Sequence, residues 1–124
     1  MLLNFGYDSL NCFTLLLLGE PHLNHILEKP VHEALKQRIT IHYSFCGLSA
    51  EEVSEYIFHK LSLAGASHSI VPQTCIRAIY SYSQGNPRLI DNLMSDALTL
   101  GAQMEKPLLD QEVILAAVNN QALA

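Results

Sequence analysis

The sequence predicts a mainly helical chain in two parts, an α/β piece over residues 1–46 followed by a small all-α domain over residues 47–124. Three observations carry this. Residues 13–19, FTLLLLG, form an uninterrupted apolar run of strand length. Residues 39–45, ITIHYSF, are rich in the β-branched and aromatic side chains that suit a strand. Beyond Gly47 the apolar residues take a helical period, with Ser, Asn and Asp standing where helices begin.

Taken in order, the first run is apolar without alternation, which predicts a strand covered on both faces, as in a parallel sheet. It ends at Gly19-Glu20-Pro21. Residues 22–38 read as one or two short helices, interrupted at Lys29-Pro30 because proline removes a backbone donor. The second strand is expected over residues 39–45. Two strands cannot bury both faces of a sheet, so this portion reads as the tail end of a larger α/β domain. Ser49-Ala50-Glu51-Glu52 is a capping box, in which hydroxyl and carboxylate each satisfy a backbone donor of the other residue. It opens a helix with Val53, Tyr56, Ile57 and Leu61 on one face, ending near Gly65. A second helix starts around Pro72, presents Ile76, Ile79 and Tyr80, and stops at Gly85. Asn86 caps a third, with Pro87 at the first helical position and Leu89, Ile90, Leu93, Met94, Ala97 and Leu98 as its buried stripe. Asp110 caps a fourth, built on Val113, Ile114, Ala117 and Val118.

Composition narrows the function. A net charge of −5 with only seven Lys and Arg leaves no basic stripe, which argues against direct nucleic acid binding. The longest apolar run is about a third of what a membrane-spanning helix needs, so no membrane insertion is expected. Cys12, Cys46 and Cys75 are an odd number and widely spaced, and read as small buried hydrophobes in a reducing compartment. These features point to a soluble cytoplasmic protein.

Arg88 is the first candidate functional residue. It lies in Gly85-Asn86-Pro87-Arg88, in the first turn of a helix, where a cation opposes the helix dipole at a cost of about 0.3–1 kcal/mol. Either the guanidinium and the helix N–H groups face an anion such as a nucleotide phosphate, or the arginine extends into solvent or pairs with Asp91 or Asp96. Arg38 closes the helix before the second strand, where a cation is favourable in any case; the functional alternative is an arginine finger acting on a neighbouring subunit's γ-phosphate. Glu20 follows four leucines, so LLLLGE imitates a Walker B strand, but Gly19 stands where the magnesium-binding aspartate belongs. Glu20 either faces ligand at the carboxyl end of its strand or caps the next helix.

A phosphate loop needs glycine followed by lysine, because backbone N–H groups cradle the phosphates while the lysine reaches the terminal ones. None of the six glycines is followed by lysine. His22 and His25 form an H-x-x-H without a third ligand at a convincing spacing, so no metal site is expected. There is no G-x-S-x-G elbow and no activated cysteine context.

LLLLGEPHLNHIL, then ALKQRITIHYSFCGLSAEEVSEYIFHKLSLAG, then YSYSQGNPRLIDNLMSDAL together resemble the later half of general secretion pathway protein A-type ATPases and of the ATP-binding subunits of bacterial DNA transposition systems. Both are AAA+ members of the P-loop NTPase class. The resemblance runs from about Leu2 to Val118. It implies the last strands of a P-loop NTPase core, residues 1–46, followed by a four-helix AAA+ lid, residues 47–124. Met1 to Phe5 resembles the helix before the sensor-1 strand, and Leu15 to Gly19 that strand. Glu20 would lie near the sensor position, where relatives more often carry an uncharged polar residue. Arg38, in KQRI, matches the candidate arginine finger. Asn86 and Arg88 match the sensor-2 motif, with Arg88 reaching nucleotide from the lid.

The resemblance thus implies a nucleotide-sensing lid portion that works with ATP and Mg²⁺ only within a complete ATPase. Without either Walker motif, the chain alone is expected neither to bind a cofactor tightly nor to hydrolyse ATP. Implied partners are other subunits of an ATPase oligomer and a transposase or secretion component. A helical module that docks such a component with no nucleotide role is the competing reading, and a gene remnant without function is a third.

Overall fold

The computed structural model describes residues 13–122, which divide between Ser44 and Phe45 into two units. Met1 to Phe5 and Cys12, to which the sequence assigned roles, lie outside the described residues.

In the first unit, Pro30 breaks the helical segment as its missing donor requires. Helix α1 spans His22–Leu27, a 3-10 turn covers Pro30–His32, and α2 spans Glu33–Lys36. Lys29, immediately before the proline, is extended at φ −67° and ψ 140°. The two expected strands are absent: residues 13–19 and 39–45 have no regular structure, and no strand occurs among the described residues. The α/β expectation is corrected accordingly. A strand is held by hydrogen bonds to a neighbouring strand, and an apolar run without that ladder has nothing to fix it. The same run is left open to solvent, with Leu16 76% and Leu18 78% exposed.

The second unit is helical throughout and owns the core. Helices α3 (Ala50–Leu63), α4 (Gln73–Ser83), α5 (Pro87–Gln103) and α6 (Gln111–Ala122) pack together, with a 3-10 turn at His68–Ile70 between α3 and α4. Each contributes one stripe at helical spacing: Val53, Ile57 and Leu61; Cys75, Ile76 and Ile79; Ile90, Leu93, Met94 and Ala97; Val113, Ile114 and Ala117. Val71 and Leu109 close the ends of the core. Each fully buried aliphatic side chain contributes about 1.5–3 kcal/mol relative to exposure. Tyr56, Tyr80 and Val118 are only partly buried, and Leu98 is exposed at 39%, so the α5 stripe is narrower than its sequence suggests.

Short-range chemistry sets the helix starts. The Ser49 hydroxyl accepts from the Glu52 N–H at 3.2 Å, and the Glu52 carboxylate accepts from the Ser49 N–H at 2.8 Å. Asp110 accepts from the Val113 N–H at 3.0 Å. Lys106 bridges Asp110 at 2.7 Å and Glu112 at 2.6 Å, placing its charge beside the start of α6. The Lys106 ammonium and then the Val113 N–H hold the Asp110 carboxyl below the usual aspartate range.

The cysteines part company. Cys75 is buried in the core, where desolvation pushes its thiol up. Cys46 is exposed, contrary to its expected burial, because it lies ahead of α3 and outside the helical packing. No helix among the described residues is long and apolar enough to cross a membrane.

Candidate functional site

The turn joining α4 to α5 is held by backbone contacts together with the side chains of Ser83, Gln84 and Asn86. Helix α4 stops because Gln84 and Gly85 both adopt left-handed conformations, at φ 49° and φ 75°. Buried Ser83 ties the turn together: its hydroxyl accepts from the Gly85 N–H at 3.3 Å and its carbonyl from the Asn86 N–H at 2.9 Å. The Gln84 amide donates back to the Ser81 carbonyl at 2.8 Å.

Segment 47–48 lies directly against this turn. The Leu48 N–H donates to the Gly85 carbonyl at 2.8 Å. A Cβ on Gly85 would overlap the backbone N and O of Leu48, and one on Gly47 would overlap the Gln84 carbonyl oxygen. Two glycines facing each other thus permit backbone contact that any side chain would prevent. Sequence reading took both as boundary markers and missed their apposition, since 38 positions of chain separate them and no periodicity links them.

From this anchored turn, Asn86 starts α5. Its side-chain oxygen accepts from the Arg88 N–H at 3.0 Å, and Pro87 takes the first helical position. Asn86 is therefore engaged as a cap, and Arg88 stands exposed in the first turn. Among the described residues no ion pair engages the Arg88 guanidinium, and both acids suggested for it are otherwise occupied. Asp91 accepts from the Tyr56 hydroxyl at 3.0 and 3.1 Å and from the Lys60 ammonium at 2.7 Å. Asp96 accepts from the Gln121 amide at 2.9 Å. The Asp91 hydrogen bond, with one to Tyr56, holds Lys60 above the ordinary lysine range, and its ammonium lies 5.2 Å from the centre of the Tyr56 ring.

Tyr56 and Lys60 are the residues sequence reasoning did not place here. Tyr56 was taken for core, whereas its ring is half-buried and its hydroxyl points to Asp91. The available signal was their spacing of four, which puts phenol and ammonium on one face of α3.

Glu20 and Arg38 belong to the first unit and are both exposed. The Glu20 carbonyl accepts from the Leu23 N–H at 2.8 Å, but no side chain caps α1. The Arg38 N–H donates to the Leu35 carbonyl at 3.0 Å, just past α2. That helix has only four residues, so its dipole gives a cation there little reward. The same unit holds a cleft of about 360 Å³ lined by Asn24, Leu27, Glu28, Lys36, Ile39 and His42, which includes neither Glu20 nor Arg38. The His22 and His25 rings lie 6.1 Å apart and tilted by 57°, with His25 Nδ1 3.8 Å from Glu28. No group of three or more His, Cys, Asp or Glu side chains placed to hold a metal occurs among the described residues.

No protein-family model and no solved structure matches the chain. Over 102 residues it is 32% identical to general secretion pathway protein A of Aeromonas hydrophila, an alignment covering 82% of this chain and 18% of that protein. The chain is therefore similar, through most of its own length, to a limited segment of a general secretion pathway protein.

Proposed function

We propose that the helical unit is the lid of a AAA+-type ATPase, and that Arg88 senses nucleotide by contacting its phosphates. In this reading residues 1–46 belong to the end of the ATPase core, with Glu20 near its sensor position. Arg38 serves as the arginine finger toward a neighbouring subunit. ATP and Mg²⁺ are bound only in the complete enzyme, and the process served is secretion, with DNA transposition as the variant that the sequence resemblance also allows. The supporting observation is Arg88 itself: an exposed guanidinium in the first turn of a 17-residue helix, on a turn fixed by backbone contacts. A cation is unfavourable there for the helix alone and favourable once a polyanion occupies the helix start. The similarity to a general secretion pathway protein is consistent with this assignment.

The test is an NMR titration of the chain with ATP and Mg²⁺. Weak binding is expected, at about millimolar strength or roughly −4 kcal/mol, with amide shifts concentrated at residues 88–90 and lost in Arg88→Ala. Shifts centred elsewhere, or shifts indifferent to Arg88→Ala, would refute the assignment. Micromolar binding would reveal a nucleotide site of another kind.

A further inference from the structure

Arg88 and Asp91 stand three residues apart on α5, the spacing at which opposite charges on a helix meet. A pair there would satisfy Arg88 internally and compete with any anion arriving at the helix start. The pair is not made. Both oxygens of Asp91 are taken by α3, through the Tyr56 hydroxyl at 3.0 and 3.1 Å and the Lys60 ammonium at 2.7 Å.

We infer that Tyr56 and Lys60 are positioning residues that hold the Asp91 carboxylate away from Arg88, keeping the guanidinium open for a phosphate-bearing ligand. The inference rests on the nucleotide-sensing role of Arg88 for its purpose, but its geometry is independent of that role. The Tyr56 ring is fixed in the edge of the core, so its hydroxyl is presented at a set place, and the Lys60 ammonium lies alongside that ring. Neither residue needs to touch the ligand. Removing both leaves Asp91 a carboxylate with one cation within reach along its own helix. The clamp also confers specificity of a simple kind. A polyphosphate offers more charge than one surface carboxylate, so the open arginine favours it without an internal rival.

The experiment uses the full chain and no nucleotide. The rate at which phenylglyoxal modifies Arg88 is followed by peptide mass spectrometry, with Arg38 and Arg77 as internal references. Tyr56→Phe combined with Lys60→Gln is expected to slow modification of Arg88 about two- to four-fold as Asp91 turns to it, the size expected for an exposed ion pair. Adding Asp91→Asn to that double variant is expected to restore the original rate, while Asp91→Asn alone changes nothing. An unchanged rate in the double variant would overturn the inference. So would slowing that Asp91→Asn fails to relieve, since that is the mark of general structural damage. If Asp91→Asn alone accelerates modification, Asp91 already pairs with Arg88 and no clamp exists. If the clamp holds while the ATP titration leaves residues 88–90 undisturbed, the nucleotide role fails and the positioning of Asp91 stands.

Discussion

Replacing Gly85 with alanine adds one methyl group where the α4–α5 turn meets Leu48, and the structure sets its cost. Gly85 lies at φ +75°, so alanine first meets the left-handed penalty of about 1–2 kcal/mol. The new Cβ would also lie 2.8 Å from the Leu48 carbonyl carbon and closer still to the backbone N and O of that residue. Backbone cannot swing aside as a side chain can, so the 2.8 Å hydrogen bond from Leu48 to Gly85 is stretched or lost, for a further 0.5–1.5 kcal/mol or about that. The sum is about 1.5–3.5 kcal/mol. At roughly 4–8 °C per kcal/mol for a domain of this size, the melting midpoint of the helical unit drops by about 6–28 °C. Gly65 supplies the control: its φ is +73° and a Cβ there meets nothing within 4 Å, so Gly65→Ala should show the conformational penalty alone. Gly47→Ala supplies the converse, contact without a left-handed backbone. Urea unfolding followed by far-ultraviolet circular dichroism ranks the three. If Gly85→Ala proves no worse than Gly65→Ala, the close approach of the two backbones is not a constraint and the reasoning fails.

Other outcomes follow from the core and the caps. Ile79→Ala, at a site with no exposure, is expected to cost about 2–5 kcal/mol in the same urea assay. A thiol reagent should modify Cys46 rapidly under native conditions and Cys75 only on unfolding, because one is exposed and the other is buried with its thiol pushed up; mass spectrometry of the labelled peptides assigns each site. The cap on α6 is acid-sensitive. Lowering of the Asp110 pKa in the folded chain means its stabilisation is complete above the unfolded value near pH 4 and is lost as pH falls through the folded value. Faster amide exchange at Val113 over that interval is therefore expected, and Asp110→Ala should abolish the acid step while leaving exchange fast at all pH.

The helical unit was legible wherever its determinants are local. Ser49 with Glu52, Asn86 with Pro87, and Asp110 each act within three residues, and every buried stripe repeats at helical spacing. The strands over residues 13–19 and 39–45 were not, because pattern registers the tendency to extend while a ladder requires a partner at a distance. The boundary glycines were visible as residues but not as a contact. The surroundings of Arg88 fared similarly: Asn86 reads as a cap from sequence, yet Tyr56 and Lys60 reach Asp91 across 35 and 31 positions of chain. Cys46 was misjudged because apolar neighbours in sequence do not enclose a residue that lies in the irregular segment ahead of α3.

The hydrogen bond between Leu48 and Gly85 has a mechanical meaning as well. The polypeptide enters the helical unit through residues 45–48, so tension on that incoming segment runs along the backbone into α3 and, in part, across one N–H···O contact to the loop from which α5 departs. That share of the strain falls on the loop holding Asn86 and Arg88, whereas the buried aliphatic layers deform less readily. The incoming segment and the loop that places the guanidinium thus share one backbone hydrogen bond.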